Sequence, residues 1–127
     1  MVTNLGPRQK AWVAALRSGD YKQGRYVLHN VKEGTRCCLG VAFDVCKKLG
    51  LELESVFRDR QGLKVEQWGT SYAILNKEVM DYLKIRNVFG AFGGTTLTSL
   101  NDNEHKTFAE IADLIEQHAS EIFTEPV

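Results

Sequence analysis

Between Thr35 and Gly50 the chain reserves almost nothing for water, and this stretch limits the fold more than any other. Cys38, Val41, Ala42, Val45 and Leu49 recur with the spacing of one buried helical stripe. Leu39, Phe43 and Cys46 fill most of the remaining circumference, leaving Asp44, Lys47 and Lys48 for solvent. A helix that is apolar on nearly every side must be surrounded by the rest of its domain. We therefore expect a central helix that opens near Thr35 or Arg36, runs from about Cys37 and stops at Gly50, a residue suited to the left-handed position after a helix.

The flanking segments supply its surroundings. Pro7 fits a first helical turn, so a helix is expected over Pro7–Arg17 with Trp12, Ala15 and Leu16 inward. An extended piece is expected from Gly24 to Val31. A hairpin follows, with strands over Leu53–Phe57 and Leu63–Trp68 and a loop of Arg58 to Gly62. Asn76 can cap a helix through Tyr82. The glycine-rich run Val88–Thr96 reads as a loop or short strand, and Asn101-Asp102 as turn formers. Thr107 and Glu110 make a capping box for a last helix whose apolar face is Phe108, Ile111, Ala112, Ile115, Ala119 and Ile122. Trp12 and Trp68 read as packing residues. The fold class is α+β: one domain of three or four helices packed around a short antiparallel sheet or hairpin.

Composition narrows the function. A hydrophobic share of 43% over 127 residues supports one core without staples. Sixteen Lys and Arg balance sixteen Asp and Glu, which argues against general nucleic-acid binding, since phosphate neutralisation needs a cationic excess. No segment reads as a signal peptide or a membrane span. Three cysteines, two of them adjacent, suit reduced thiols better than a disulfide framework, so the expected location is the cytoplasm.

Chemistry is concentrated at the start of the central helix. A thiol at Cys37 would feel the positive helix end and neighbouring Arg36, both of which favour thiolate. A cysteine-dependent hydrolase or transferase would then need a base, and the candidates are His29, His105 and His118; His105, in a polar loop with Asp102, is the histidine to test, and His118 is expected to be solvated. The bland alternative is that Cys37 and Cys38 are small core residues. Adjacent cysteines with a third at Cys46 do not match a zinc knuckle, so no metal is expected. Gly90, Gly93, Gly94, Thr95 and Thr96 could approach a phosphate, with Thr95 capping a short helix, but they lack the lysine and spacing of a nucleotide loop. No cofactor is implied.

Three blocks carry a resemblance: AWVAALRSGDYKQG, GTRCCLGVAFDVC and LTSLNDNEHKTFAEIADLIEQHA. Together they resemble small uncharacterised proteins of tailed phages, with a W-x-x-A-L-R-S-G start, a C-C-L-G-V block and a closing L-N-D before F-x-x-I-A-x-x-I-E. The layout is also similar to an actinobacterial domain of unknown function. The resemblance covers most of the chain except roughly residues 52–94. It implies importance for Trp12, Tyr21, Gln23, Cys37, Cys38, Leu39, Gly40, Asn101, Asp102 and Phe108. It also implies small polar residues where His105 stands, which weakens a catalytic histidine.

The resulting expectation is a phage-type accessory protein, working in the host cytoplasm, that binds a host protein or a small polar ligand. Its site would comprise Tyr21, Gln23, Arg36, Cys37, Gly40, Asp44, Asn101 and Asp102. A cysteine enzyme using Cys37, His105 and Asp102 is the alternative. The third reading is an interaction module that forms a homodimer through the last helix.

Overall fold

In a computed structural model of the protein, which describes residues 5–127, the central helix is enclosed as its pattern requires. Helix α1 spans Pro7–Arg17 and helix α2 Cys38–Lys48. Every residue from Cys38 to Phe43 is buried, as are Val45 and Cys46. Leu49, expected on the buried stripe, is instead exposed, because the helix ends at Lys48 and Leu49 is already its C-terminal cap.

Between these helices lie three two-residue strands, β1 (Lys22–Gln23), β2 (His29–Asn30) and β3 (Thr35–Arg36). A hairpin follows, β4 (Val56–Arg60) and β5 (Leu63–Gln67). The five strands form one sheet in the order β1-β3-β2-β5-β4, mixed because β1 pairs parallel to β3 while the other pairs are antiparallel. The hairpin ladder runs on to Arg60↔Leu63, so the expected five-residue loop shrinks to Gln61-Gly62. Both residues have positive φ, the requirement of a two-residue turn that follows the strand twist.

Helix α3 (Lys77–Leu83) is capped by Asn76, whose side chain accepts from the Val79 N–H at 2.9 Å. The glycine-rich run folds into a second small hairpin, β6 (Ala91–Phe92) and β7 (Thr95–Thr96), turning at Gly93-Gly94. Thr96, not Thr95, then caps the short helix α4 (Leu97–Asp102), so Asn101 and Asp102 belong to a helix rather than a turn. The last helix has the expected Thr107–Glu110 capping box but breaks at His118, giving α5 (Phe108–Gln117) and α6 (Ala119–Ile122).

The result is the expected α+β architecture, with two short helices, α4 and α6, beyond the longer four among the described residues. Trp12, Phe43, Leu39, Ile111 and Ile115 lie within one apolar core. Trp12 meets Phe123 edge-on and its indole donates to the Cys38 carbonyl at 3.1 Å, while Trp68 packs on Phe43 at 4.4 Å. The apolar face of α5 is buried inside this core. Gln9 was not anticipated inside. It is fully buried, and its amide donates to the carbonyls of Leu83 and Glu125 at 3.0 and 2.8 Å.

Candidate functional site

The residues singled out from the sequence separate into two groups. The first is a hydrogen-bond hub around the fully buried Asn101, with partly buried partners. Cys37 is the N-terminal cap position of α2, yet its side chain makes no capping bond. Asn101 supplies one from α4: its Oδ1 accepts from the Cys38 N–H at 3.2 Å and from Gln23 Nε2 at 2.9 Å. Its Nδ2 donates to the Gly24 carbonyl and to Asp102 Oδ1, each at 2.8 Å. A side-chain amide has two acceptor sites and two donors, and here all four are used with no exposure to solvent. Gln23 also donates to the Lys106 carbonyl at 2.8 Å, and Asp102 accepts from the Tyr26 N–H at 2.9 Å.

Cys37 and Gly40 belong to this interior. Burial is the main cause that pushes the Cys37 thiol up to about 12, and the nearby charge of Asp102 acts in the same direction. The expected helix-end effect is present only as weaker opposing contacts from backbone N–H groups, so the thiolate is disfavoured. Cys38 shifts in the same direction through burial, and its Sγ donates to the Leu97 carbonyl at 3.6 Å. Burial likewise raises Cys46 to about 12. At Gly40 an added Cβ would lie 1.8 Å from the Leu28 carbonyl oxygen. The close approach expected at this glycine is made by β2's own lead-in backbone. His105 is exposed at positive φ (56°), and no hydrogen bond joins it to Cys37.

The second group is partly open. Cross-strand register places Gln23, Arg36, His29, Glu66 and Phe57 in one row across the five-stranded sheet. The His29 side chain meets Glu66 Oε1 at 2.8 Å, and Ser55 Oγ donates to Glu66 Oε2. Burial acts to raise the Glu66 carboxyl, but these bonds and the charge of Arg36 hold it below its ordinary value. On the α2 side, Tyr21 donates its hydroxyl proton to Asp44, and Lys48 reaches the Tyr21 hydroxyl and Asp44, both at 3.1 Å. Burial again acts to raise Asp44, and the bonds from Tyr21 and Lys48 with the charge of Arg36 lower it. Burial and then the bond to Asp44 raise the Tyr21 phenol.

Arg36 lies between these two carboxylates, its guanidinium 6.0 Å from the centre of the Tyr21 ring. Among the described residues this guanidinium has no hydrogen bond and no ion pair, although the Arg36 carbonyl accepts from the Gly24 N–H at 2.8 Å. Of the expected site, then, Tyr21, Arg36 and Asp44 come together at a half-buried polar face, whereas Gln23, Cys37, Gly40, Asn101 and Asp102 build the interior beside it. Glu66, Ser55 and Lys48 were missed, and His29 was considered only as a base for a thiol and passed over for His105. Only the register of two-residue strands aligns His29 with Arg36 and Glu66, and strands that short leave no alternation to read. Among the described residues no cluster of three or more His, Cys, Asp or Glu is grouped to hold a metal ion. No helix among them is long and apolar enough to cross a membrane.

The chain belongs to the family described as a domain of unknown function (DUF8296), whose family model matches residues 7–119. The match takes in all three blocks that carried the resemblance, from the Trp12 segment to the L-N-D segment and its following helix. Comparison with the curated proteins and with the solved structures returns no match.

Proposed function

We infer that this chain, from a family whose description assigns no activity, is a binding protein for a small polar ligand with a carboxylate or phosphate group. One observation supports the reading. Arg36 is half-buried and keeps its guanidinium without a partner among the described residues, while every polar neighbour in its row is already engaged. A guanidinium presents a planar fork of donors that fits a carboxylate or phosphate two bonds at a time. The flanking carboxylates oppose an anion less than bare ones would, because Glu66 is held by His29 and Ser55, and Asp44 by Tyr21 and Lys48. The wider role is that of a phage-type accessory protein in the host cytoplasm, where a host protein would offer the same group as an acidic side chain.

The thiol-enzyme reading needs the Cys37 sulfur to reach substrate and to ionise. Burial at 4% exposure opposes the first and the raised pKa opposes the second.

The test titrates wild-type protein and Arg36→Ala with inorganic phosphate and with citrate, followed by amide chemical shifts. Saturable shifts at Arg36, His29 and Tyr21 are expected in the wild type and lost in Arg36→Ala. Equal binding by the variant, or no saturable shift with either probe, would sink the reading.

A further inference from the structure

Strand β4 forms the outer edge of the five-stranded sheet, and the polar row does not account for its exposure. All five residues of β4 are exposed, and its outer edge pairs with no strand among those described. Val56, Phe57 and Leu63, at 45%, 56% and 38% exposure, account for half of the large apolar side chains left open to solvent among the described residues. An unpaired edge carries free N–H and C=O groups ready for another strand, and soluble proteins usually blunt such edges with proline, with charged side chains or with a covering element; charges of both signs, however, can be matched by a second copy. Here the prolines are Pro7 and Pro126, far from the hairpin in sequence, and the edge charges Glu54, Arg58, Asp59 and Arg60 are of both signs.

We propose that the free edge of β4 pairs antiparallel with the β4 of a second copy of this chain, centred on Phe57. A twofold axis normal to the sheet keeps side chains on their own faces, so each residue meets one of the same parity. Centred on Arg58 the pairing opposes Arg58 to itself, and centred on Asp59 it opposes Asp59 to itself and Arg58 to Arg60. Centred on Phe57 it opposes Phe57 to Phe57, Val56 to Arg58, Ser55 to Asp59 and Glu54 to Arg60. That register places no like charges opposite one another, puts an aromatic pair at the centre and closes each end with an ion pair. Centring on Val56 also avoids like charges, but it draws four residues outside the strand, Glu52 to Ser55, into the ladder, whereas centring on Phe57 draws only Glu54 and Ser55. Arg60 can serve at the end because its Nε and Nη2 are taken by Gln67 while Nη1 is not.

Sedimentation velocity of the full chain over a concentration series tests the proposal. The wild type is expected to shift from monomer toward dimer as concentration rises. Glu54→Arg and Arg60→Glu should each weaken association at least about tenfold, and the double swap should restore it. Register is read with Phe57→Cys under mild oxidation, which is clean because Cys37, Cys38 and Cys46 are all buried. Residues directly opposite across a ladder lie about 5 Å apart at Cα, within disulfide reach. Phe57→Cys should therefore give a linked dimer, while Asp59→Cys, four residues out of register with its copy, should not. A monomer at every concentration, single swaps without effect, or linkage through Asp59→Cys and not Phe57→Cys would each overturn the proposal.

Discussion

Asn101 caps the helix that Cys37 opens: its side-chain oxygen receives the Cys38 N–H at 3.2 Å, across 63 positions of chain. The first N–H groups of a helix have no partner within it, and a buried start without a cap would leave them unsatisfied. Cys37 provides no such bond, so the adjacent cysteines are tolerated at a buried helix start because an amide arrives from α4.

Removing that amide should be costly. Asn101→Ala strands the Cys38 N–H, the Gly24 carbonyl and the Gln23 amide inside the protein and leaves a small void. A loss of about 3 kcal/mol is expected in urea unfolding, since each unsatisfied buried group costs on the order of 1–3 kcal/mol and relaxation recovers part of it. A loss below about 1 kcal/mol would show that the hub is not what holds α4 against α2.

The thiols should behave as core residues. With burial raising Cys37 and Cys46 to about 12 and Cys38 in the same direction, alkylation of the native protein at neutral pH should be slow at all three. Its rate should follow opening of the fold rather than thiolate chemistry, and denatured protein should yield three thiols. Fast labelling confined to Cys37, abolished by His105→Ala, would reinstate the cysteine-enzyme reading.

Acid should weaken the fold through the polar row. Glu66 and Asp44 sit below their ordinary values of 4.5 and 3.8 in the folded state. A carboxyl with a depressed folded value stabilises fully above its unfolded value and loses that contribution as pH falls through the folded one. Stability of the wild type should accordingly decline as pH drops below about 4.5, and Glu66→Gln should decline less steeply over the same range. Parallel pH curves for the two proteins would remove Glu66 from the account.

The helices were largely legible because their signals are local. Pro7, Gly50, Asn76 and the Thr107–Glu110 box mark ends that depend on neighbours within a turn, and α2's nearly unbroken apolar circumference states its own burial. The sheet was not legible, because three of its five strands are two residues long and exist only through pairing with distant partners. The candidate site divided for the same reason. Tyr21 and Asp44 meet across the α2–β1 junction, and no periodicity links them to His29 or Glu66. Asn101 and Asp102 read as turn residues by type, and their role as interior ligands of the backbone depends on α4 docking.

The saturation of Asn101 has a consequence for how the domain opens. One side chain holds β1 through Gln23, the following loop through Gly24 and α2 through Cys38, while its neighbour Asp102 holds the backbone at Tyr26. Asn101 itself is buried, so β1, the Gly24 loop or α2 cannot draw away from it without leaving one of its polar atoms unpaired, which ties the opening of these segments together. The β4–β5 hairpin shares no bond with this node. The molecule is thus built with unequal cooperativity: a hub whose segments open together, and an outer strand, β4, whose five exposed residues can part from β5 at lower cost.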